Sequence, residues 1–148
     1  MLAFVIMPAP ASALIALSFE SVPGAVSLTG GGTAIAALDF GTVSAFEMVN
    51  AGVTKSVGAA SYTISTDFGV RVTRVVSVSA NYTLRANLTS AHALTWRVNG
   101  VTMSTAAATV AANQPFGSTV PHTLAFEVPF THSSGLVTTV LEVIAIAN

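Results

Sequence analysis

Apolar and polar residues alternate one for one through much of this chain, and the alternating runs are closed off by Gly, Pro, Asn and Ser. A period of two is the spacing of a strand, whose successive side chains point to opposite faces, and it does not fit the 3.6-residue period of a helix. The clearest run sets Tyr82, Leu84, Ala86 and Leu88 against Thr83, Arg85, Asn87 and Thr89, which predicts a strand buried on one side. Leu94, Trp96 and Val98 then alternate with Thr95 and Arg97, and Asn99 and Gly100 separate them from Val101, Thr102 and Met103. Asn-Gly between two such runs predicts a hairpin with a type I′ turn, both central residues at positive φ. Further strands are predicted at residues 14–20, 34–38, 42–48, 61–66, 70–78, 123–130 and 136–147, while residues 105–112 fit either a short helix or a strand. Breaks every 8 to 12 residues or so point to an all-β sandwich, immunoglobulin-like or jelly-roll, rather than to alternating strands and helices.

Charge narrows the setting of that sandwich. Lys, Arg, Asp and Glu make up 7% of the 148 residues, against roughly 25% in an ordinary soluble domain. The surface must then be built from Thr, Ser, Asn, Ala and Gly, and some apolar surface is expected to be shared with another copy of the chain, giving a homo-oligomer or polymer. Lys55, Arg71, Arg74, Arg85 and Arg97 are scattered singly in a chain of net charge −1, so no clustered positive potential exists for nucleic acid. The absence of Cys removes disulfides and thiolate chemistry together and is neutral about compartment.

The first residues carry an address. Residues 2–7 are an apolar run, and Ala11, Ser12 and Ala13 form the small-x-small pattern of a signal-peptide cleavage site, although no basic residue precedes Lys55. Residues 1–13 are therefore read as a signal-peptide remnant, with a secreted, cell-surface destination. Pro8 and Pro10 interrupt a stretch already shorter than the roughly 20 residues of a membrane span, so membrane contact is expected only during export. Residues 14–33 read as an N-terminal arm ending in the Gly30, Gly31, Gly32 linker, and residues 34–148 as the sandwich body.

Each place where chemistry could sit has a plainer explanation. His92, His122 and His132 lack the spacing of a zinc site, the six carboxylates are sparse enough to be surface charges or partners of Arg, and the Gly30 to Gly32 run is not followed by Gly-Lys-Ser/Thr. No Ser lies in a Gly-x-Ser-x-Gly setting. No catalytic, cofactor-binding or metal-binding residue is nominated, no cofactor is expected, and the chain is not read as an enzyme. Trp96 keeps register with Leu94 and Val98 and belongs to the core. Asn81 and Asn87 open sequons, with Asn87 expected on the solvent face. An alternative function is a secreted carbohydrate-binding module, recognising host-surface or matrix glycans through loops near Asn50, Asn113 and His132.

One short motif resembles a known family. Leu38, Asp39, Phe40 and Gly41, continuing into Thr42 and Val43, are similar to a motif of the spore coat protein U and bacterial fimbrial-subunit-like domains. Those domains usually carry Cys pairs, and this chain has none. The resemblance implies an immunoglobulin-like sandwich whose subunits join into a pilus-like fibre or surface layer by donor-strand exchange. In that mechanism an extended segment of one subunit completes the sheet of the next. Residues 14–20 have the pattern of such a donor: Leu14 opens the segment and Ile15, Leu17 and Phe19 share one face. The same pattern also suits the first strand of the chain's own sandwich, and alternation alone does not separate the two.

Overall fold

The computed structural model describes residues 2–8, 15–32, 35–74 and 79–148. Twelve strands follow one another: β1 (Leu2–Pro8), β2 (Ile15–Glu20), β3 (Leu28–Thr29), β4 (Ala36–Gly41), β5 (Thr54–Val57), β6 (Ser61–Arg74), β7 (Asn81–Leu88), β8 (Thr95–Val98), β9 (Val101–Thr102), β10 (Ala108–Pro115), β11 (Thr119–Pro129) and β12 (Val137–Ala147). No helix occurs among the described residues, so the all-β expectation holds, and of residues 105–112 those from Ala108 onward are strand. Two sheets pack face to face as a sandwich, one ordered β10-β7-β12-β1-β4-β3, the other β2-β6-β11-β8-β9 with β5 also on β6.

Alternation sets the faces. Tyr82, Leu84, Ala86 and Leu88 of β7 are all buried, as are Trp96 and Val98 of β8. The two sheets meet through aromatic side chains: Phe126 of β11 lies edge-on to Phe40 of β4 at 5.2 Å and against Trp96 at 4.6 Å. Offset and edge-to-face pairs of this kind add about 1 kcal/mol each beyond the area they bury. Asn99 and Gly100 take φ of 50° and 80°, as the predicted turn requires. Asn99 also ties that turn to the sheet, its Oδ1 accepting from Thr123 N at 3.0 Å.

Three expectations are corrected. Residues 42–48 are a loop rather than a strand, because Val43, Ala45 and Val49 pack inward while Ser44 caps a turn, its Oγ accepting from the N–H groups of Phe46 and Glu47. Residues 61–66 and 70–78 are not separate strands: β6 runs unbroken from Ser61 to Arg74, and residues 75–78 lie outside the described residues. Asn87 is buried, not solvent-facing, with its Nδ2 donating to Glu142 Oε2 on β12 at 3.3 Å. A glycan on that nitrogen would have to displace the Glu142 carboxylate.

Candidate functional site

The N-terminal segments enter the two sheets differently. β1 runs parallel to β12, with Leu2 through Pro8 facing Val137 through Val143, and antiparallel to β4 on its other side, from Leu2 opposite Gly41 to Ile6 opposite Ala36. Ile6 is fully buried. The segment with the export pattern is thus the strand that joins β12 to β4, and no other described strand bridges them. An apolar run of six or seven residues suits a strand between two others as well as it suits a signal core, and that ambiguity hid β1 from sequence reasoning.

β2 is an edge strand. Among the described strands it pairs only with β6, from Ile15 opposite Arg74 to Glu20 opposite Gly69. Ile15, Leu17 and Phe19 are buried while Ala16, Ser18 and Glu20 are partly exposed, so the candidate donor face packs into the chain's own sandwich. Leu14 lies outside the described residues. The outer edge of β2 is touched at one point, where Phe19 N donates to Gly32 O at 2.9 Å. Salt-bridged Arg71 and Glu20, 4.0 Å apart, mark this edge with charge.

The hexapeptide motif explains itself structurally. Leu38 and Phe40 are fully buried in β4, and Asp39 turns outward, where its Oδ1 accepts from Gly41 N at 2.8 Å. Gly41 has φ of 69°, and a Cβ there would stand 2.0 Å from Asn50 Nδ2. The motif therefore ends β4 and throws the chain into the loop of residues 42–53. Buried Thr66 anchors the far side of that loop, accepting from Val26 N at 2.9 Å and donating to Gly52 O at 2.8 Å.

That loop builds the second feature, a cavity of about 560 Å³ at one end of the sandwich, lined among others by Thr42, Ser44, Phe46, Tyr62, Phe130 and His132. Three rings stand in a row there: Phe46 on Phe130 at 6.4 Å and 13°, and Phe130 on Tyr62 at 6.2 Å and 25°. Burial raises the Tyr62 phenol above its ordinary value near 10, so the ring is uncharged at neutral pH. Of the loops nominated for binding, the Asn50 and His132 loops converge at this end. Asn113 does not; it sits with Asn148 and Asn81 at the opposite end.

The remaining titratable groups are dispersed. His122 is buried on β11, its Nδ1 2.9 Å from Asn99 Nδ2 and its Nε2 without a partner among the described residues. Burial lowers its pKa to about 4, against a smaller upward pull from Asp67. His132 lies beyond the far end of β11, about 24 Å away at ~3.4 Å per residue, so the two imidazoles do not meet. Glu127 accepts from Ser61 Oγ at 2.7 Å and pairs with Arg97 at 3.2 Å, which holds its carboxyl below the usual range. Among the described residues no cluster of His, Asp and Glu has the makings of a metal site, and no helix is long and apolar enough to cross a membrane. Neither a protein-family model nor a curated protein matches the chain.

Proposed function

We propose that this protein is an exported structural subunit that associates with copies of itself by β-strand addition, forming a pilus-like fibre or surface layer. The observation that carries the reading is the place of β1: a short segment in the middle of a sheet, with a strand on each side. Lifting it out opens two edges at once, on β12 and β4, and a slot of that kind is refilled by any segment with matching side chains and main-chain groups. A second copy's Leu2–Pro8 meets that condition by identity. Exchange would keep every main-chain pair and lose only the connection within one chain, which is the low-cost route of strand swapping between protomers. The sparse charge of the chain and the resemblance of Leu38, Asp39, Phe40 and Gly41 to a fimbrial-subunit motif agree with it, and it requires that residues 2–8 stay on the mature chain.

The test is electron microscopy of the intact chain beside a variant lacking residues 1–8. Ordered filaments from the intact chain, absent from the truncated one and blocked by an excess of the residue 1–8 peptide, are expected. Filaments that persist unchanged after truncation would rule β1 out as the exchanged strand.

A further inference from the structure

Phe46 is 93% exposed and Met48 96%, yet the loop that carries them is tied down. Ser44 Oγ accepts from Phe46 N at 3.3 Å and Glu47 N at 3.0 Å, and the Lys55 ammonium donates to the carbonyl oxygens of Ser44, at 3.1 Å, and of Glu47. Holding a bare phenyl ring in water by this many polar bonds opposes the hydrophobic effect, which would fold the ring inward. Phe130, 42% exposed, is stacked nearly parallel to it, and Tyr62 continues the row. Around the rings the cavity wall presents Thr42, Ser44, His132, Ser133 and Ser134, and none of its lining residues is Asp, Glu, Lys or Arg.

We propose that this cavity is a binding site for a neutral saccharide, with a pyranose ring laid against the Phe46–Phe130 row. A pyranose has an apolar C–H face that matches the exposed face of an aromatic ring such as Phe46 and a girdle of hydroxyls that both donate and accept. Ser and Thr hydroxyls and a His ring offer both roles in return. The volume of about 560 Å³ lies in the range of small-ligand sites and admits one or two sugar rings. Phosphates, carboxylates and amines find no counter-charge in the lining. A flat apolar surface would use Phe46 and Met48 but neither the concavity nor the hydroxyl rim. The site adjoins one end of the β1 slot, since Gly41 and Val137, which flank Leu2, both line it, but Phe46, Tyr62 and Phe130 lie outside β1, β4 and β12, so Phe46→Ala tests saccharide binding separately from the assembly proposed above.

The experiment is calorimetric titration of the full chain with cellohexaose, chitohexaose, maltohexaose and laminarihexaose. At least one should bind saturably, with an affinity that falls tenfold or more in Phe46→Ala and stays unchanged in Ile35→Ala, an exposed apolar residue outside the cavity. Thermal melts of both variants should match the parent, since neither side chain is in the core. Failure of all four sugars to bind, or binding indifferent to Phe46→Ala, overturns the proposal. So does retention on octyl-agarose that requires Phe46 without any saccharide binding, which would make this end an adhesive patch for apolar surfaces.

Discussion

β1 and β2 lie close together in sequence and are both short, apolar and N-terminal, but one has a strand on each side and the other has a strand on one side only. The difference fixes what each contributes. β2 adds a buried row of Ile15, Leu17 and Phe19 to a sheet that is continuous without it. β1 makes one sheet out of two pieces, so its free energy is that of its own burial together with the two edges it closes. Position in the sheet, rather than hydrophobicity, decides which segment an assembling partner could replace.

Removing residues 1–8 should therefore have the largest effect. Loss of the buried Ile6 side chain and of main-chain bonds to both neighbours is expected to cost on the order of 5 kcal/mol or more, comparable to the whole stability of many domains. Chemical denaturation should show it, and the residue 1–8 peptide added in trans should restore the transition. Phe19→Ala, in the edge strand, should cost about 3–5 kcal/mol, as for other buried Phe truncations, and no peptide should rescue it. If truncation of β1 proves milder than Phe19→Ala, the contrast between the two strands fails.

Acid should act on the β2 side and spare the slot. His122 lies opposite Phe68 on β6, next to the Gly69–Glu20 pair that ends β2. The unfolded chain takes up a proton near pH 6.5 and the folded one near 4, so stability falls as pH drops through that window and levels off below it. A loss of about 2 kcal/mol between pH 7 and pH 5 follows. It should vanish in His122→Phe, and hydrogen exchange should quicken in β6 and β11 before β1 and β12. The smallest effect is expected for Gly41→Ala at the end of β4: about 1 kcal/mol for the left-handed backbone, with Asn50 yielding to the new methyl.

Much of this was legible in sequence because one-sided strands advertise themselves. Tyr82 to Leu88, Trp96 and the Asn99-Gly100 turn follow directly from alternation and turn chemistry. β1 was not legible, because its outward Val5 and Met7 are apolar although partly exposed, so the segment shows no polar alternation and looks like any apolar run. The Phe46 loop was missed for the opposite reason: β-branched and aromatic content in residues 42–48 suggested a strand, whereas Gly41 and the Ser44-to-Glu47 spacing were the signs of a capped turn. Asn87 was misplaced because a polar residue on the outer face can still be covered by a neighbouring strand's carboxylate.

The central claim is that the slot between β12 and β4 accepts a strand from another copy. The chain has no Cys, and Val5 faces Val140 across the parallel pair, so Val5→Cys and Val140→Cys can be placed on separate chains, mixed and oxidised. The account predicts a disulfide-linked species joining the two variants, blocked by the residue 1–8 peptide. A disulfide that forms only when both substitutions are in the same chain, leaving the mixture uncrosslinked and monomeric, would contradict it.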